Sequence, residues 1–257
     1  DLAHPRGGHR GGAQAQAASL LLKAERPVLL AGGGFRWSQA DAPALALAEW
    51  LDMPIVTAHK GQLPEDHPLV AGIVGTSNQP PAMQTIQEAD VVLAVCCTFS
   101  QVMTASFGNQ VIPARAKIIH VDIDPTEIGK NYATEIGIVG DAGSVLADLL
   151  AALPEAGKRP GSRGAKEALA QRKAAYATAL APGANSDAVP IHRLRLMRDL
   201  RSVLGRDALI SVEAGGTHNW YVYGFPAYTP MLEPGDYSIM GSAFCQALAA
   251  KVAFPGR

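Results

Sequence analysis

The sequence predicts an α/β protein: a doubly wound, parallel-sheet central domain followed by an incomplete second α/β domain. Two observations carry this. Short, wholly apolar runs rich in β-branched residues (PVLLA, DVVLAV, KIIHVDI) alternate with helical segments, as parallel strands covered on both faces do. Several of these runs also end directly in glycines or carboxylates, the residues that line the carboxyl edge of an open α/β sheet.

Residues 1–14, rich in glycine and basic side chains without periodicity, read as a linker. His4 and His9 lie in it with no carboxylate or thiol nearby that would make them metal ligands. The central domain, 15–153, reads as helix 15–24, strand 27–31, helix 41–51, strand 53–58, helix 80–88, strands 90–95 and 117–123, short strand 137–139 and helix 143–152. Asp41 is expected as an N-cap, with Pro43 in the first turn, and Gly143-Ser144 as the opening of the last helix. Residues 154–189, rich in Ala, Gly and Pro, form an interdomain connection with a helix over 165–180. Residues 190–257 open on an amphipathic helix with Ile191, Leu194, Met197, Leu200 and Leu204 on one stripe, followed by strand 208–212.

Composition removes several function classes. Of 257 residues, 22 are Lys or Arg and 23 are Asp or Glu, and the resulting charge of -1 does not steer the whole molecule to nucleic acid or anionic lipid. Eleven of the cations fall between Lys158 and Arg206, but without interleaved aromatics to stack bases they read as a solvated helix face. No nucleic-acid partner is expected. No apolar run reaches the roughly 20 residues of a membrane span. Three cysteines, two of them adjacent, form neither a disulfide framework nor a zinc motif, and the expected compartment is the reducing cytoplasm.

Four constellations are candidates for chemistry. Gly32, Gly33 and Gly34 follow an apolar strand, where absent Cβ atoms let the backbone approach a phosphate. The third glycine of G-x-G-x-x-G is missing, because position 37 is Trp, and a ligand-free turn is the alternative. Asp122 and Asp124 in HVDIDP stand at a strand's carboxyl end, suited to ribose hydroxyls, to a metal, or simply to capping the following turn. Glu213 to Trp220 (EAGGTHNW) runs from a strand into glycines, a hydroxyl, an imidazole and an amide, either an oxyanion loop or an ordinary polar one. Ser238 to Phe244 (SIMGSAF) enters a helix through small residues, with Met240 as core or as cofactor support.

Taken in order, RPVLLAGGG, MPIVTAHKGQLPEDHPLVAGIVG, EADVVLAV, ARAKIIHVDIDPTEIGKN and VGDA resemble the central domain of thiamine diphosphate-dependent enzymes of the acetolactate synthase type. Residues 190–257 resemble the opening of that family's diphosphate-binding domain. The resemblance implies thiamine diphosphate and Mg²⁺ as cofactors, a 2-keto acid or acyl donor as substrate, and decarboxylation or carboligation as the reaction. It also implies a site built across a homodimer or homotetramer. By this likeness Gly215, Gly216 and Thr217 lie near the diphosphate, Met240 wedges the cofactor into its bent shape, the Ser238 backbone accepts from the cofactor's amino group, and Gly241 is a further cofactor contact. The family's Gly-Asp-Gly magnesium motif and its glutamate-bearing domain are not in the sequence; Gly140-Asp141 and Gly235-Asp236 stand at other places. The chain therefore reads as part of a larger catalyst, inactive alone, with its catalytic residues elsewhere. Flavin-binding members hold FAD on the central domain. Gly72, Gly75, Asp122, Asp124 and Asp141 match that pattern, whereas Cys96 to Val102 lacks its arginine, which argues against FAD. The alternative reading is a non-catalytic α/β module that binds an adenine dinucleotide.

Overall fold

The computed structural model describes residues 10–158, 160–233 and 238–256. Six parallel strands form one sheet in the order β3-β2-β1-β4-β5-β6: β1 (Pro27–Ala31), β2 (Ile55–Thr57), β3 (Val70–Ile73), β4 (Val91–Val95), β5 (Lys117–Asp122) and β6 (Ile136–Val139). The chain lays β1, β2 and β3 outward on one side, then returns to place β4 against the other edge of β1. Winding reverses there, leaving a crevice at the carboxyl ends of β1 and β4.

Every residue of β1 and β4 is buried, which is why both runs are apolar throughout rather than alternating. Leu29, Ala31, Leu93 and Val95 face α1 (Arg10–Lys23), α2 (Asp41–Leu51) and α4 (Ala142–Ala156) through Leu21, Leu47 and Leu149. Val28, Leu30, Val92 and Ala94 face α3 (Pro80–Gln87) and the irregular stretch 96–112 through Ile86, Phe99 and Ile112, with Leu169 of α5 (Ala165–Ala184) closing the layer. Arg163 ties the connection to this body: its guanidinium donates to the carbonyls of Leu51, Leu21 and Leu22, the last-turn acceptors of α2 and α1. Asp52, left-handed at φ 47°, accepts from the backbone N–H of Arg163.

Beyond α5 come α6 (Arg193–Val203), α7 (Gly216–Gly224) and α8 (Ser242–Ala253). A small third core of Met197, Val212, Tyr221, Phe225 and Met231 holds α6 and α7 together.

Several expectations are corrected. α1 begins at Arg10, inside the expected linker, because an Ala- and Gln-rich stretch follows directly; residues 1–9, with His4 and His9, lie outside the described residues. Ala40, not Asp41, is the N-cap of α2, and Asp41 occupies its first turn. Asp141 opens α4, accepting from the backbone N–H of Ser144 at 3.0 Å. Strand β3 is absent from the expected elements. Its VAGI sequence has weak strand propensity and bends at Gly72 (φ +114°), where the register with β2 shifts. Expected strand 208–212 is reduced to one bridge, Ser211 to Leu232, since no other strand among the described residues flanks it. Of the expected loop 213–220, residues 216–220 become the start of α7, while 213–215 remain non-helical and lead into it. The helix expected from 190 starts only at Arg193, so Ile191 precedes α6; of the apolar stripe only Leu194 and Met197 are buried, and Ile191 and Leu200 are exposed.

Candidate functional site

The carboxyl ends of β1, β2, β3 and β4 surround a cavity of about 660 Å³, within the usual range for small-molecule sites. Its lower wall is the glycine turn after β1, Ala58 and His59 after β2, Ile73 at the end of β3 with residues 74–77 after it, and residues 96–100, 102 and 103 after β4. Its upper wall is the start of α7 with Glu233 and Ser238. Gly32 is there for lack of space: a Cβ would lie 2.0 Å from the Cys96 carbonyl oxygen. The turn is pinned by the Gly32 N–H donating to Val95 at 2.8 Å and by Gln62 Nε2 donating to the Gly32 carbonyl at 2.5 Å. Cys96 and Phe99 take left-handed φ values of 52° and 47°, strain that turns the chain away from β4 and over the cavity floor.

One electrostatic cluster bridges the two walls. The Nδ1–H of His59 donates to Glu233 Oε1, and His218 Nε2, from the first turn of α7, lies 3.5 Å from Glu233 Oε2. Burial alone would raise the Glu233 carboxyl, but hydrogen bonds and positive charge from His218 and His59 outweigh it and bring the pKa to about 2 from an ordinary 4.5. Ser77 Oγ donates to Asn219 Oδ1 at 2.8 Å, a second tie across the crevice. A carboxyl depressed in the folded state stabilises fully above pH 4.5 and loses that contribution as pH falls toward 2. At about 1.4 kcal/mol per pH unit the difference is roughly 3 kcal/mol. Urea titrations across this window are expected to show a steep loss of stability in the parent and a flatter one in Glu233→Gln. Equal slopes would remove the clasp from the acid response.

Of the sequence candidates, Gly32, Gly33, Gly34, Gly75, Gly215, Gly216 and Ser238 line the cavity. The others stand elsewhere. Gly72 packs on Gln79, whose Oε1 would lie 2.1 Å from an added Cβ. Asp122 Oδ1 accepts from the Asp124 N–H at 2.9 Å, and Asp124 Oδ1 from the Thr126 N–H at 2.8 Å and hydroxyl at 2.7 Å, so both carboxylates cap turns. Asp141 caps α4. Thr217 is in the first turn of α7, Met240 is 89% exposed, and the Gly241 N–H donates to Glu213 Oε2 at 3.0 Å. Sequence reasoning misses His59 and Glu233. A signal for His59 does exist: it stands two residues past the end of β2, at the same sheet edge as the glycines past β1.

Two thiols face this region yet are chemically quiet. Burial, with the Asp122 charge adding, pushes Cys96 up to about 11, and burial pushes Cys97 up to about 12. With iodoacetamide at pH 8, exposed Cys245 is expected to alkylate at least about a hundred times faster than either. Comparable rates by peptide mass mapping would show that the loop after β4 opens.

Residues 14–149 match the family described as thiamine pyrophosphate enzyme, central domain, more than half of the sequence. The chain belongs to this family. Similarity extends past the central domain of these thiamine pyrophosphate enzymes. A probable acetolactate synthase large subunit of Methanocaldococcus jannaschii is 38% identical over 250 residues, 93% of this chain and 41% of that protein. An acetolactate synthase of Mycobacterium bovis is 30% identical, covering 94% and 39% respectively. A sulfoacetaldehyde acetyltransferase of Roseovarius nubinhibens is 31% identical, covering 99% and 45%. The chain thus spans roughly two-fifths of the length of these curated relatives. Among its described residues, no helix is long and apolar enough to cross a membrane.

Proposed function

We propose that the gene product carrying this chain is a thiamine diphosphate-dependent carboligase or decarboxylase of the acetolactate synthase type, acting on a 2-keto acid or acyl donor. One observation carries the reading: similarity to proteins named acetolactate synthase runs through 93% of the chain, well beyond the matched central domain. In this reading residues 15–153 are the central domain, 154–189 the connection and 190–257 the start of the diphosphate-binding domain, in a cytoplasmic homo-oligomer.

The residues at the start of α7 suit a diphosphate. Among the described residues nothing lies within 4 Å of where a Cβ would stand at Gly215 or Gly216, which leaves room for an anion near the N–H groups of the helix's first turn. Gly215, Gly216 and Thr217 would hold that end, while Ser238, Met240 and Gly241 would contact the rest of the cofactor. When bound, thiamine diphosphate supplies carbanion chemistry at a carbonyl carbon. This chain's own part is to bind and orient it at the crevice rim, with Glu233 and His59 holding the start of α7 in place. Among the described residues no three His, Cys, Asp or Glu side chains converge to hold a metal ion, so these residues assign no Mg²⁺ ligand.

The test is consumption of pyruvate and related 2-keto acids by the purified gene product, with and without thiamine diphosphate and Mg²⁺. Turnover that requires both is expected. Absence of turnover across the substrate panel, with the cofactor shown to bind, would overturn the proposal.

A further inference from the structure

His59 is held from two sides and left free on a third. Its backbone N–H donates to Gln62 Oε1 at 3.2 Å, and the same buried amide donates through Nε2 to the Gly32 carbonyl, which ties the residue to the turn that opens the cavity. The ring Nδ1 is committed to Glu233 Oε1. Glu233 is fixed in turn, because Gln246 of α8 donates to its backbone carbonyl at 2.7 Å and its other carboxylate oxygen faces His218. An imidazole whose Nδ1–H is bound to a carboxylate keeps one tautomer when neutral, and its second nitrogen is left to exchange a proton. That nitrogen, Nε2, has no hydrogen-bond partner among the described residues. It stands on the cavity wall against Gly33, where an added Cβ would meet it at 3.1 Å, and the His59 side chain is 39% exposed.

The start of α7, which the proposed function gives to the diphosphate, is the upper wall of the same cavity. A 2-keto acid between the two walls has to take up a proton, since its carbonyl oxygen becomes a hydroxyl when the carbonyl carbon gains a bond. We propose that His59 supplies this proton from Nε2, with Glu233 as the positioning residue; the assignment rests on the thiamine diphosphate-dependent reading above. The incoming carbon nucleophile brings the electron pair of the new C–C bond. The carbonyl π pair takes the Nε2 proton to form the O–H bond, and the imidazolium becomes a neutral ring whose Nδ1–H still lies on Glu233. Reversal of the step returns the proton to Nε2. Glu233 faces the ring, with His218 beyond it; the Lys60–Glu65 pair shares its loop, and Cys96, across the glycine turn, is kept a thiol by burial.

The whole gene product, loaded with thiamine diphosphate and Mg²⁺, is assayed on 2-keto acids beside His59→Gln and Glu233→Gln, with circular dichroism to confirm folding. For His59→Gln, kcat is expected to fall at least about a hundredfold with KM within about threefold, and the alkaline limb of the kcat profile to disappear. Glu233→Gln removes the charge that favours the protonated ring, so the limb is expected to move to lower pH, with a smaller loss of turnover. A second readout needs neither turnover nor a variant. Diethyl pyrocarbonate modification of His59, followed by peptide mass mapping of the parent, is expected to slow at least about tenfold when oxamate, an unreactive 2-keto acid analogue, is bound with the cofactor. This protection decides the matter if His59→Gln does not fold. A parent with bound cofactor and no turnover removes the carboligase reading and this assignment with it. A parent that turns over while His59→Gln keeps its rate or its alkaline limb, or whose His59 is modified equally with and without oxamate, overturns the His59 assignment alone.

Discussion

Replacing Gly32 by alanine is expected to destabilise the protein by at least about 3 kcal/mol, among the largest effects a single methyl group produces in a folded chain. The backbone at Gly32 has φ −87° and ψ −175°, a conformation alanine adopts freely, so none of the cost is torsional. It is steric, and the atoms in the way are backbone: Cys96 O at 2.0 Å, Cys96 C at 2.5 Å and Cys97 Cα at 2.6 Å. These cannot rotate aside. Relieving the overlap means parting β1 from β4, the two central strands, at the point where the Gly32 N–H donates to Val95 and the cavity begins. Gly33→Ala is the control: its added carbon meets only the tip of His59, Nε2 at 3.1 Å, which can swing away, so a cost under about 1 kcal/mol is expected. Urea midpoints of the two variants decide the matter. Equal midpoints would mean that the close approach of these strands is not what demands glycine at position 32.

The same contact explains why the sheet was legible in the sequence and the site only partly so. A strand buried on both faces must be apolar at every position, and PVLLA and DVVLAV announce that without reference to anything distant. VAGI does not: two of its four residues are small, and it pairs with β2 only through an irregular register that tertiary packing imposes. Glycine after a strand was readable as a site, but its reason was not, since the clash it avoids comes from a segment sixty-odd residues away along the chain. Asp122 and Asp124 show the converse. Three uses were open to them from sequence, and the hydrogen bonds to Asp124 N–H and Thr126 realise the most local one, turn capping. The His59–Glu233 contact spans 174 positions and no periodicity or spacing encodes it, so it emerges only when the segment after α7 folds back over β2.

That fold-back has a buried anchor. Lys60 has no exposed side-chain surface, and its Nζ lies 2.7 and 2.8 Å from the two Glu65 oxygens. Glu65 joins the loop after β2 to the returning segment, accepting from the Ala227 N–H at 3.2 Å and donating its own N–H to Ala227 at 3.0 Å, while the Met231 N–H donates to the Lys60 carbonyl at 3.4 Å. Burial holds the Lys60 ammonium below its ordinary pKa of 10.5, with Glu65 opposing. The folded state therefore grips this proton less tightly than the unfolded chain, and stability gains, rather than falls, as pH climbs from the folded value toward 10.5. The pair is thus a device for fixing geometry more than a net source of stability. Breaking it from one side is another matter. Lys60→Met leaves the Glu65 carboxylate in a largely dry setting with one N–H for company, and a loss of about 3–5 kcal/mol is expected. Lys60→Met combined with Glu65→Gln removes the stranded charge yet keeps an acceptor for Ala227, so the double variant should recover most of that loss, a coupling of about 1–3 kcal/mol. Urea denaturation of the parent, both single variants and the double gives the cycle directly. If Lys60→Met alone unfolds at the parent's midpoint, or the two substitutions simply add, the loop after β2 is not anchored by this ion pair and the placement of His59 against Glu233 must be held by the chain around it.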